Sequence, residues 1–171
     1  LSAQTYLLSE FLAEKAPDFA IPALHATALV QGHCHQKSVL HFDDEVTLLN
    51  KLGLDYTVLD SGCCGMAGAF GFEKGEKYDV SIKCGERVLL PKVRDAALDT
   101  LIVANGFSCR EQIEQTTDRR AMHIAQVLKM ALDGVRPSAL PEAAYMPAAL
   151  TAPPRTSATP AGNMHKEGRE K

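Results

Sequence analysis

The stretch Ser61-Gly62-Cys63-Cys64-Gly65-Met66-Ala67-Gly68 sets two adjacent cysteines in a glycine-rich turn, directly after an apolar run. Such a turn can bring two thiolates to one point, which suits a metal or a redox reaction better than a packed core. Cys34 and Cys109 occupy comparable places, each a few residues past another short apolar run. Cys84 differs. It falls in the middle of a helical pattern and reads as a small buried hydrophobe with no role at a site.

Three strands must position these turns. Ala26-Thr27-Ala28-Leu29-Val30 leads to His33-Cys34-His35, Leu54 to Leu59 leads to Gly62-Cys63-Cys64-Gly65, and Asp99 to Ala104 leads to Asn105-Gly106-Phe107-Ser108-Cys109. Helical patterns lie between and around them. The first covers residues 2–15. A second runs from Gln36 to Leu52, with Val39, Leu40, Phe42, Val46, Leu49 and Leu52 as its inner face. Tyr78 to Leu90 follows, with Val80, Val88 and Leu89 as core candidates, and Pro91 kinks it or starts a new helix through Ala97. A short helix spans residues 110–115, and a last one spans 120–132 with Ile124, Val127, Leu128 and Ala131 inward. Strands alternating with helices predict an α/β fold: a small parallel sheet with flanking helices. Every strand then points the same way, so the cysteine-bearing turns line the carboxyl edge, where open α/β sheets bind ligands.

Four thiolates at one edge match a tetrahedral zinc ion or a cysteine-ligated [4Fe–4S] cluster. The gaps between the cysteines do not fit a zinc ribbon or finger. The adjacent pair is awkward for one small ion, because neighbouring side chains diverge, and suits a cluster spread over several ångströms better. Helices that start after Cys34 and Cys109 would aim their N-terminal dipoles at an anionic cluster. His33 and His35 could replace a cysteine around zinc, donate to a sulfur, or cap a helix. A metal-free redox dithiol at Cys63 and Cys64 is a further reading, although vicinal disulfides are strained. The run Gly65 to Gly71 is spaced G-x-x-G-x-x-G, not the G-x-G-x-x-G of a dinucleotide loop. No Ser-His-Asp set, P-loop or H-E-x-x-H occurs.

The 171 residues allow one domain with a real core. We expect it to cover residues 1–134, with a disordered Pro- and Ala-rich tail over 135–171, where most of the nine prolines fall. The formal net charge of −3 and the absence of Trp argue against nucleic acid as a partner. No apolar run is long enough to span a bilayer. Five cysteines without regular spacing, and no visible export signal, predict a reducing, cytoplasmic setting, including a peripheral station on the inner face of the membrane. The chain opens at Leu1 rather than Met, which we read as a C-terminal piece of a longer polypeptide.

At Gly62-Cys63-Cys64-Gly65 the chain resembles the cysteine-rich "CCG" domains of heterodisulfide reductase and of the iron–sulfur protein of glycolate oxidase. The pattern there is one Cys, then Cys-Cys-Gly, then a terminal Cys-x-x-Cys. Cys34 matches the first, Cys63 and Cys64 the pair, and Cys109 the last, while Gly106 falls where the terminal pair has its first cysteine. Gly32-His33-Cys34-His35-Gln36-Lys37, Asp60 to Gly68, Gly85 to Pro91 and Gly106 to Gln112 are more similar still to the C-terminal end of FAD-linked oxidases with fused iron–sulfur modules. The resemblance covers about residues 5–133. It implies an iron–sulfur electron-transfer module, held by Cys34, Cys63, Cys64 and Cys109, in an oxidoreductase acting on glycolate, D-lactate or 2-hydroxyglutarate. FAD would sit in another domain or subunit, alongside further iron–sulfur modules, and electrons would pass to quinone or another acceptor. By itself this piece is not expected to be catalytic. His33, His35, Gly65 and Arg110 are expected around the cluster. The alternatives are a structural zinc-binding docking domain and a metal-free Cys-Cys redox protein.

Overall fold

In the computed structural model, which describes residues 1 and 4–145, three short strands form one parallel sheet in the order β2-β1-β3. They are β1 (Thr27–Gln31), β2 (Asp55–Val58) and β3 (Leu101–Ala104). Thr27 pairs with Asp55 and Val30 with Val58 on one side of β1, and Ala28 pairs with Leu101 and Gln31 with Ala104 on the other. All four residues of β3 are buried. Its outer edge is closed by one further residue, Met122, which donates to the Ile102 carbonyl and accepts from the Ala104 amide.

Helices cover both faces of the sheet, as the alternating pattern predicts. They are α1 (Leu8–Glu14), α2 (Asp43–Lys51), α3 (Glu76–Glu86), α4 (Leu89–Asp95), α5 (Phe107–Thr116) and α6 (Ile124–Leu132). Period-two alternation divides the core. Ala28, Val30, Leu101 and Val103 face a cluster completed by Leu12, Leu48, Leu49, Val127 and Leu128. Ile102 and Ala104 face the other way, onto Leu89, Leu90, Val93 and Ile113. The inner face expected of α6 is buried throughout: Ile124, Val127, Leu128 and Ala131.

Several element boundaries differ from the sequence reading. The helix expected from Gln36 to Leu52 is two pieces, a π-helical turn over Gln36–Leu40 and then α2. His41 between them has φ 62, which ends the first piece, and Val39 and Leu40 are exposed rather than inward. The stretch around Pro91 resolves into a separate helix, α4, whose first residue Leu89 is buried. In α3 Val80 is exposed, and the buried positions are Ser81 and Gly85. Small residues are needed there because α3 lies close against the turn after β2. A Cβ on Gly65 would fall 2.0 Å from the Ser81 carbonyl oxygen. Gly65 also has φ 94, a conformation that favours glycine.

Residues 135–145 of the expected tail fall among the described residues. Pro141–Ala144 forms a 3-10 turn, and Glu142 within it is buried against Arg119 at 2.8 Å. The Arg119 guanidinium also donates to the carbonyls of Ala97 and Thr100. A buried ion pair that also satisfies backbone acceptors gives this segment a fixed place, despite its proline-rich composition. Residues 146–171 of the expected tail lie outside the described residues.

Candidate functional site

Hydrogen bonds between neighbouring turns fix the carboxyl edge of the sheet. Gln31, the last residue of β1, is buried and accepts from the Ser61 hydroxyl at 2.6 Å, which ties the turn after β2 to the end of β1. Asn105, just past β3, donates to Glu45 of α2 at 2.8 Å and accepts from the Ile124 amide at 3.0 Å. Arg110 donates to the carbonyls of Asn105 (2.6 Å) and Ala104 (3.3 Å). Its guanidinium therefore holds the backbone of the Asn105 turn. Gln112 of α5 donates to the Ser81 carbonyl of α3 at 3.1 Å, joining the two helices that flank the cysteines.

Into this frame the fold brings thiols from separate turns. Cys64 and Cys109 are both buried, belong to the same apolar cluster, and share a side-chain hydrogen bond. Cys109 lies in the first turn of α5, where the helix dipole favours a thiolate. Cys34 and Cys63 are exposed at the mouth of the same site. Both lie within electrostatic reach of Cys109, and Cys34 within reach of Cys63. Gly65 donates its amide to Cys63 Sγ at 3.3 Å.

The electrostatics follow from this packing. The hydrogen bond from Cys109 holds the Cys64 thiol below its ordinary pKa, with help from backbone amides and against its burial. Cys109, the donor of that bond, is pushed up by the same contact and by burial. In its protonated form Cys64 has the Met66 carbonyl as an acceptor, at 3.7 Å. Burial raises Cys63, and the Gly65 amide partly offsets this.

The histidines beside Cys34 divide. His35 is exposed, with its ring centroid 6.3 Å from that of His33. His33 packs over Gly106, whose Cβ would lie 2.5 Å from the His33 ring. Burial, and to a lesser degree His35, lowers the His33 pKa. His123 accepts from the Ala125 amide at 3.1 Å as the N-cap of α6.

Two features of the site were not apparent in the sequence. Cys84, read as an inert core residue, is half-buried and lies within electrostatic reach of Cys63, and its Cβ would be 3.1 Å from a Cβ on Gly65. Gly65 and Gly85 are the signal, since two small residues on facing segments allow such an approach. Glu45 is the other. It is 2% exposed, and burial raises its pKa against hydrogen bonds from Asn105, Ser9 and Gln36. Among the described residues, no three His, Cys, Asp or Glu side chains are arranged to hold a single metal ion. A hollow lined by Leu24, His25, Thr27, Asp99 and Arg136 lies at the opposite, amino-terminal edge of the sheet, away from the thiols.

No protein-family model matches the chain, and no solved structure matches it. Among curated proteins it is similar to one of the subunits of anaerobic glycerol-3-phosphate dehydrogenase from Escherichia coli K12, with 41% identity over 85 residues, or 50% of this chain and 21% of the relative. It is also similar to D-2-hydroxyglutarate dehydrogenase of Pseudomonas putida, with 28% identity over 124 residues, or 71% of this chain and 12% of the relative. The chain therefore matches only a small part of the length of these relatives. Both relatives are named as a dehydrogenase or a subunit of one. Among the described residues, no helix is long and apolar enough to cross a membrane.

Proposed function

We propose that the chain is an iron–sulfur electron-transfer module of an FAD-linked dehydrogenase acting on a 2-hydroxy acid or a related hydroxylated substrate. The observation that supports it best is the meeting of Cys64 and Cys109, buried and hydrogen-bonded, from turns after two different strands. Cys34 and Cys63 flank that pair from the solvent side. The donor chemistry fits the group: four sulfurs, a helix N-terminus at Cys109 and an amide on Cys63 Sγ suit an anionic, thiolate-held cluster. When bound, such a cluster supplies a one-electron redox centre. Cys34, Cys63, Cys64 and Cys109 would hold it, and the Gln31–Ser61 and Asn105–Glu45 bonds keep their turns in place. Met66, Ile102 and Ile113 exclude water from its inner side.

The names of the two relatives support the substrate class. The flavin and the remaining redox groups would belong to another domain or subunit, with quinone as a candidate final acceptor. Iron and acid-labile sulfide analysis of anaerobically purified protein, with a visible absorption spectrum, tests the reading. Iron with sulfide and a broad charge-transfer band is the expected result, and Cys63→Ser should lose most of the metal. Zinc alone, or full iron retention in Cys63→Ser, would overturn the assignment.

A further inference from the structure

Two carboxyls are buried among the described residues, and they are held differently. Glu142 pairs with the Arg119 guanidinium at 2.8 Å. Glu45 is held by neutral side chains: Asn105 at 2.8 Å, Ser9 and Gln36. Those partners tie it to two of the cysteine turns. Gln36 is buried two residues past Cys34. Asn105 precedes Gly106, where a Cβ would lie 3.2 Å from Cys109 Sγ. The Asn105 oxygen accepts from the Ile124 amide at 3.0 Å, which leaves its NH2 group to donate to Glu45.

Among the described residues, no ion pair includes Glu45, and the charged and titratable groups on the elements around it lie elsewhere. On α1, Glu10 accepts from the Leu7 amide and Lys15 lies beside Glu14. On either side of Gln36, His35 and Lys37 are exposed. On α2, Asp43 and Lys51 are exposed and Asp44 is half-buried. Beyond Asn105, Arg110 donates to the carbonyls of Ala104 and Asn105, and His123 caps α6. The Glu45 carboxyl is thus a buried proton site without a counter-charge, set between the Cys34 and Cys109 turns.

From this placement we propose that Glu45 takes up a proton when the four-cysteine site gains an electron. The proposal rests on the cluster reading above. An electron delivered by a reduced flavin adds one negative charge at the site. One proton from water converts the Glu45 carboxylate to the acid. One O–H bond forms, no other bond changes, and the added charges cancel. Added negative charge raises the pKa of a nearby carboxyl, the more so where water is excluded. Burial has already moved this carboxyl upward from 4.5. The reduction constant should therefore fall as pH rises through these raised values. It levels off where the carboxyl is protonated, or ionised, in both redox states.

Redox titration of the anaerobically purified full chain, followed by visible absorption at a series of pH values, tests the proposal. The wild-type reduction constant should fall by up to about tenfold per pH unit, which is about 59 mV for one electron. Glu45→Gln should show no such fall and should match the acid plateau of wild type at every pH. Redox-difference infrared spectra give a second readout. With ¹³C-labelled glutamate, a protonated-carboxyl band should appear on reduction, shift with the label, and be missing in Glu45→Gln. A wild-type potential that does not change with pH overturns this proposal alone, as does a slope that Glu45→Gln retains. If Glu45→Gln loses its iron, the wild-type spectrum decides, and reduction without a label-sensitive band overturns the proposal. Protein without iron and sulfide overturns the cluster reading and this proposal with it.

Discussion

The two faces of this small sheet are built to different ends. On one, Leu12, Leu48, Leu49, Val30, Leu101, Val103 and Val127 form an aliphatic core that Met122 and Met130 complete, with no cysteine in it. On the other, Ile102, Leu89, Leu90 and Ile113 continue without a break into Met66, Cys64 and Cys109. The first face has only to exclude water. The second must do so while keeping two sulfurs in one place, which explains its use of Ser81, Gly85 and Gly65 where a plain core would have larger residues. The contrast teaches that burial here has two meanings. A loss of packing on the first face is a loss of stability, whereas on the second face it is also a change at the site.

The sharpest way to break that contrast is Gly65→Ala. Its positive φ costs about 1–3 kcal/mol in a non-glycine residue. Forcing a methyl against the Ser81 carbonyl adds about 1–3 kcal/mol of overpacking. Urea unfolding should show the combined loss, and the folded fraction should lose thiol-bound metal. Metal content equal to that of wild type would show that α3 does not fix the turn.

Leu49→Ala is the matching test on the other face. Leu49 is fully buried in the aliphatic cluster, so its truncation should cost about 2–5 kcal/mol. Metal content per folded molecule should stay unchanged. A parallel loss of metal would mean that the two faces are coupled more tightly than their separate clusters imply.

Glu45 gives the smallest and most diagnostic effect, because it connects α2 on the first face to Asn105 among the cysteine turns. Burial raises its carboxyl above the ordinary value of 4.5. The folded state then holds the proton more tightly than the unfolded state. The stability from this group is full below pH 4.5 and is lost as pH rises through the raised folded value. Glu45→Gln keeps an oxygen for Asn105 and cannot ionise. Its melting temperature should therefore fall less than that of wild type from pH 4.5 to neutrality. Parallel melting curves would remove Glu45 as a source of the pH dependence.

Much of this was legible in the sequence, for identifiable reasons. The three apolar runs had the length and composition of buried strands, and the cysteines followed them at similar intervals, so the parallel sheet and its cysteine-bearing edge could be read directly. The meeting of Cys64 with Cys109 is a consequence of that address. What could not be read depends on contacts between elements. The period of residues 36–52 suits one helix, yet His41 adopts positive φ and breaks it, leaving Val39 and Leu40 in solvent. Val80 is larger and more apolar than Ser81 and Gly85, but the helix approaches the turn so closely that those two small residues face inward. Cys84 and Glu45 gain their neighbours from the turn after β2 and from Asn105, remote in sequence. Composition suggested disorder from residue 135, and one buried carboxylate, Glu142, holds the first part of that segment in place.

The Met122 bridge has a kinetic consequence. It gives β3 backbone partners along both edges, so Cys109 extends from a strand bonded on either side. β2 is bonded only to β1, and the paired cysteines extend from it. Local opening should therefore release the Cys63–Cys64 turn before the Cys109 turn. In native-state hydrogen exchange, the amides of β2 should exchange faster than those of Ile102 and Val103. The lifetime of anything held between the two turns would then be set by how often the β2 edge frays.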